Sequence, residues 1–158
     1  MAKICRFQRK NGWPDLCSLS CRSCTGIDMK ILLVDNDPVY LSLLAEVLTL
    51  YSHQVVRALD GEEACALLQQ ETVQLIISDV GMPKLNGMDL HIRVRTDERF
   101  KDIPFAWNSS YPELLRVLEI KDPSIDYKFE KTMPLPNLLH FVNRIDATRR
   151  LRAEMTTS

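Results

Sequence analysis

Asp79 carries the most informative chemistry in the sequence. It ends a short apolar run, Leu75-Ile76-Ile77, and opens a loop punctuated by Pro83 and Gly87. A carboxylate at the end of a buried strand stands where open α/β sheets place their ligand crevice, a position suited to a covalent or metal-assisted step. Three further groups follow apolar runs in the same way. Asp35-Asn36-Asp37 comes directly after Ile31-Leu32-Leu33-Val34, Ser109 closes the run from Ile103, and Lys131 closes the run from Asp126. A divalent cation held by oxygen ligands would offset the repulsion between a carboxylate and a phosphate, and such ligands suit Mg2+. Asp79 can supply one oxygen, the backbone carbonyl of Gly81 another, and Asp35 and Asn36 the rest. Lys131 would hold a phosphate oxygen as a point charge, and Ser109 would hydrogen-bond it.

The elements that must position these groups are legible as alternating periods. Runs of β-branched and apolar residues without helical period predict buried parallel strands at 31–34, 54–58, 75–79, 103–109 and 126–131. Between them lie helical patterns. Asp37 is suited to cap the first, with Pro38 at its first position and Leu41, Leu44, Ala45 and Leu48 as its core stripe. Asp60 to Glu63 opens the second, which carries Ala64, Leu67 and Leu68. The others are expected over 88–95, 112–119 and 137–149, the last bearing Leu138, Leu139, Phe141, Val142 and Ile145. Alternation at this spacing implies an α/β fold with helices on both faces of the sheet. Right-handed crossovers then give a five-stranded parallel doubly wound, flavodoxin-like sheet in the order 2-1-3-4-5.

Composition narrows the class. The chain has 158 residues, 46% hydrophobic and 26% charged, with a net charge of −1. That is ordinary for one globular domain with some excess, and implies no general attraction to nucleic acid or anionic membrane. No apolar run approaches the ~18 residues of a membrane span, and Met1 to Arg6 lacks the apolar core of a signal peptide. A cytoplasmic location is the expectation. Residues 1–28 differ from the rest: Lys3, Arg6, Arg9, Lys10 and Arg22 outnumber Asp15 and Asp28, and no period persists. Cys17, Cys21 and Cys24 have C-x3-C-x2-C spacing, with Cys5 as a further candidate ligand. The spacing resembles the cluster motif of radical S-adenosylmethionine enzymes, whose large barrel this chain has no room for. A zinc knuckle would lack the usual paired C-x2-C elements. The extension is read as disordered, or as upstream sequence included through a misassigned start. His53, His91 and His140 have no metal spacing and are read as surface or helix residues.

The stretch Asp79-Val80-Gly81-Met82-Pro83-Lys84-Leu85-Asn86-Gly87 resembles the D-x-x-M-P-x-x-x-G signature of response-regulator receiver domains, the CheY-like modules of two-component signalling. The resemblance covers about residues 29–146 and leaves 147–158 as a tail. It implies that Asp79 accepts a phosphoryl group from a histidine kinase or phosphotransfer protein. It also implies that Asp35, Asn36 and Gly81 help Asp79 to hold Mg2+, and that Ser109 and Lys131 complete the site. Such a domain is a switch rather than an enzyme, and signals to a downstream protein. The contact expected is the face of the fourth helix, fifth strand and fifth helix, which is also a face for a homodimer. The residues after the last helix are too few for a helix-turn-helix, so no nucleic-acid contact is expected.

Three positions depart from the receiver pattern. Asn36 stands where a second acid is usual, Thr132 replaces the proline that commonly follows the lysine, and Lys128 aligns with an aromatic switch position, with Tyr127 beside it if the register differs by one. These departures favour an alternative, a receiver-like adaptor that works without phosphorylation. A second alternative comes from Asp35-Asn36-Asp37-Pro38-Val39. It resembles the D-x-D motif of haloacid-dehalogenase-like phosphatases, with Asp35 as nucleophile and Asp37 as acid/base, but leaves the Asp79 motif unexplained.

Overall fold

The computed structural model describes residues 29–156. The cluster of Cys5, Cys17, Cys21 and Cys24, and the expectation for residues 1–28, lie outside the described residues. Five strands alternate with five helices: β1 (Lys30–Val34), α1 (Pro38–Leu50), β2 (Gln54–Ala58), α2 (Gly61–Gln70), β3 (Leu75–Asp79), α3 (Gly87–Thr96), β4 (Phe105–Ser109), α4 (Pro112–Val117), β5 (Asp126–Glu130) and α5 (Leu135–Thr156). The strands form one parallel sheet in the order β2-β1-β3-β4-β5, as expected from the alternation.

The sheet has two cores because each strand residue points to the face opposite its neighbour. Leu32, Ile76, Phe105 and Trp107 pack on one face with Leu68, Leu90 and Val94. Ile31, Leu33, Ile77 and Ala106 pack on the other with Leu41, Leu44, Leu48, Val142 and Ile145. Burial on both sides explains why these strands read as continuous apolar runs rather than as alternating ones.

Caps set where the helices start, and so where the strand-end loops stop. Asp37 accepts from Val39 N at 2.9 Å and Tyr40 N at 3.2 Å. Asp60 accepts from Glu63 N at 2.9 Å, while the Glu63 carboxylate accepts from Leu59 N at 2.7 Å. Asn86 caps α3 through Met88 N and Asp89 N. Helix α4 is shorter than its pattern suggests, because Leu118 is already extended. Helix α5 runs beyond Arg149 to Thr156. Its last turns carry exposed Leu151 and Met155, so local helix propensity and the Asp146 pairs with Arg149 and Arg150 sustain it. No described helix is long and apolar enough to cross a membrane.

Candidate functional site

Parallel packing brings the carboxyl ends of β1, β3, β4 and β5 to one edge. Asp79 ends β3 and is 8% exposed. Its Oδ1 accepts from Val80 N at 2.7 Å, which fixes the carboxylate on the strand end. Asp35, just past β1, is buried, and its Oδ1 accepts from Asp37 N at 3.0 Å. Lys131 follows β5, and its backbone N–H donates to Ser109 O at 2.9 Å, continuing the ladder onto β4. Its ammonium pairs with Asp35 Oδ2 and lies 3.4 Å from Asp79 Oδ2. One cation thus joins two carboxylates from separate strands. Burial works against the Lys131 charge, but Asp35 and then Asp79 outweigh it and hold the ammonium above the ordinary lysine value. Burial likewise raises Asp35, which Lys131 and the Asp37 N–H only partly offset.

The loop after Asp79 is locked by close backbone approach. A Cβ on Gly87 would lie 2.0 Å from Asp79 O, and one on Gly61 2.5 Å from Leu85 O. Gly61 N donates to that same Leu85 O at 3.2 Å. Lys84, with φ of 60°, reaches Asp60 at 2.5 Å and ties the loop to the start of α2. Gly81 is exposed and spatially open, its Cβ position meeting only Leu114 Cδ1 at 3.9 Å. Asn36 is exposed next to buried Asp35. Ser109 is buried, and its Oγ accepts from Tyr111 N at 3.1 Å.

Residues 31–143 match the response regulator receiver domain. The chain belongs to that receiver family. Over 98 residues it is 42% identical to the transcriptional regulatory protein CpxR of Klebsiella pneumoniae, covering 62% of this chain and 41% of that relative's length. The chemotaxis response regulator CheY4 of Vibrio cholerae superposes with a TM-score of 0.66 at 26% identity, covering 74% of this chain and 98% of that one. Response regulator protein TrrA of Thermotoga maritima, solved in complex with Mg2+-BeF, gives a TM-score of 0.66 at 25% identity, with the same coverages.

Receivers serve two-component signalling, partner with histidine kinases, and are not catalytic enzymes. Against that family, the phosphatase reading of Asp35 and Asp37 loses its acid/base: the Asp37 carboxylate is committed to the N-terminus of α1. The register of β5 places Lys128 opposite Trp107 and sends Tyr127 to the α5 face, 5.2 Å from the Phe141 ring centroid. Tyr127 therefore does not take the switch position. Lys128 does, donating to Leu115 O at 2.9 Å and Leu118 O at 3.2 Å at the end of α4.

Two groups near or below the receiver site escaped the sequence reading. Asn108, beside Asp79 in register, donates from Nδ2 to the Tyr40 hydroxyl at 2.6 Å. An amide inside an apolar strand was the available signal. Of the histidines, His53 departs from the reading as surface or helix residues: it is buried just before β2, outside the helices. His91 lies on α3 as read, and is buried there. Its Nε2 lies 2.9 Å from Asp126 Oδ1, and its ring packs on Phe105 and Trp107. Arg95 completes this cluster, donating to Asp126 at 2.6 Å. A polar residue on an amphipathic helix reads as exposed unless its partner strand is known.

Proposed function

We propose that this receiver accepts a phosphoryl group on Asp79 from a histidine kinase or a phosphotransfer protein, and signals onward through protein contacts. The observation that carries the reading is the Lys131 ammonium set between Asp79 and Asp35 at one sheet edge. An Asp79 oxygen forms the bond to phosphorus while the phosphorus–nitrogen bond of the donor phosphohistidine breaks, and the imidazole leaves with the electron pair. In this reading Lys131 neutralises the charge arriving on the phosphoryl oxygens, and Ser109 donates to one of them.

The donor set fits Mg2+. It is all oxygen: carboxylates of Asp35 and Asp79, the Asn36 amide and the Gly81 carbonyl. The two carboxylates already converge on positive charge. When bound, the cation would neutralise charge between carboxylate and phosphate. The α4-β5-α5 face is the proposed contact for a downstream protein or a second copy. It exposes Val117 and Leu135 and holds a groove of about 510 Å³ beside β5.

With acetyl phosphate and Mg2+, mass spectrometry is expected to find one added phosphoryl group, absent from Asp79→Asn and without Mg2+. Equal labelling of Asp79→Asn would remove the assignment. An unlabelled parent protein would favour the adaptor reading, which Lys128 anchored on α4 supports because no aromatic ring is there to swing.

A further inference from the structure

We infer that Tyr40 and Asn108 are positioning residues for Lys131, holding its ammonium toward Asp79; the inference deepens the phosphoacceptor reading and rests on it. Lysine carries its charge on a flexible four-carbon stem, so its place in a site must be enforced by what surrounds it. Here Asp35 pairs with the ammonium and Asp79 stands 3.4 Å from it. Another boundary of its surroundings is the face of the Tyr40 ring, whose centroid lies 4.8 Å from Lys131 Nζ. A desolvated cation over an aromatic face is attracted to it, and this one is largely shielded: the Lys131 side chain is 14% exposed.

The ring is itself held. Asn108 is 1% exposed and sits in the sheet between Asp79 on β3 and Phe129 on β5. It pairs in register with Asp79, and its Nδ2 donates to the Tyr40 hydroxyl at 2.6 Å, joining β4 to α1 across 68 residues of sequence. Packing alone would be served by an apolar pair here. A polar pair fixes the ring's rotation as well as its position, because the hydrogen bond has a direction that dispersion lacks. The backbone beside Lys131 gives no such restraint from a proline, since Thr132 follows it. Tyr40 and Asn108 thus supply from the sheet and α1 the orientation that the lysine's own loop does not.

Tyr40→Leu removes the ring, Tyr40→Phe keeps the ring and removes its anchor, and Asn108→Ala removes the anchor from the other side. Labelling of Asp79 by acetyl phosphate with Mg2+ is followed over donor concentration, with folding checked by thermal melting. Tyr40→Leu is expected to lower the maximal rate about tenfold and to leave the half-saturating donor concentration nearly unchanged. Tyr40→Phe and Asn108→Ala should each cost about threefold, and their combination no more than either alone, since both break one bond. In the unphosphorylated protein, the nitrogen-15 NMR signal of the Lys131 ammonium should be resolved in the parent and in Tyr40→Phe, and lost to exchange in Tyr40→Leu. A folded Tyr40→Leu with the parent's rate and an unchanged ammonium signal overturns the inference. A parent protein never labelled on Asp79 overturns the phosphoacceptor reading instead, and the ammonium signal then decides the positioning role by itself.

Discussion

Asn36 and Gly87 are the single residues at the acidic edge whose replacement is most informative. An amide offers a metal a neutral oxygen where a carboxylate would add charge, and hard divalent cations are held mainly by charged oxygens. Asn36→Asp is therefore expected to tighten Mg2+ binding about tenfold by calorimetry. Unchanged affinity would place residue 36 outside the ligand set. At Gly87 the constraint is steric, because any Cβ would sit 2.0 Å from the Asp79 carbonyl oxygen, backbone that cannot yield cheaply. Gly87→Ala is expected to cost about 3 kcal/mol or more in urea unfolding. Gly81→Ala, with open space around it, should stay within about 1 kcal/mol. Similar losses at both positions would contradict the close approach as the cause.

Helix α3 and strand β5 are joined away from the acidic edge by His91, Arg95 and Asp126. Arg95 donates to Asp126 and also to the carbonyls of Lys101 and Ile103, so one guanidinium closes the loop into β4. Burial, more than Asp126 can offset, holds the His91 imidazole below the ordinary histidine value, with Arg95 and Lys121 adding to the depression. The unfolded chain therefore takes up a proton at higher pH than the folded one. Stability from this group is complete above the unfolded value of about 6.5 and is lost as pH falls below it, until the folded value is passed. Urea unfolding between pH 7.5 and 5 should show a decline of up to ~1.4 kcal/mol per pH unit, and His91→Gln should flatten it. A slope unchanged by that substitution would assign the decline to other groups.

At the scale of the molecule, one sheet separates two cores, and adjacent residues of β1 serve opposite ones. Leu32 and Leu33 are both buried and belong to different faces. Neither face can be uncovered while the sheet stands, since parallel strands need cover on both sides. Leu32→Ala and Leu33→Ala are each expected to lower stability by about 2–5 kcal/mol in a single urea transition of unchanged steepness. Two separated transitions in either variant would show that the faces unfold independently.

The strands, their parallel order and the ends that carry Asp35, Asp79, Ser109 and Lys131 were legible because each rests on residues close in the chain. Apolar runs mark strands buried on both sides, and Asp37 and Asp60 announce the helices they cap. The alternation of elements then leaves few topologies. Tertiary structure alone decided which distant side chains meet. Asn108 reaches Tyr40, Lys131 joins Asp35 to Asp79, and His91 lies buried against Asp126, each pair set by which strands are neighbours and in what register. The same holds for Lys128 and Tyr127, whose roles were exchangeable until β5 was placed against β4. The end of α5 differed for the opposite reason: past Ile145 its core stripe fades, while its backbone bonds need only good helix formers to continue. Period and caps are local quantities and survive in a one-dimensional reading, whereas a contact across the sheet exists only once the chain has closed on itself.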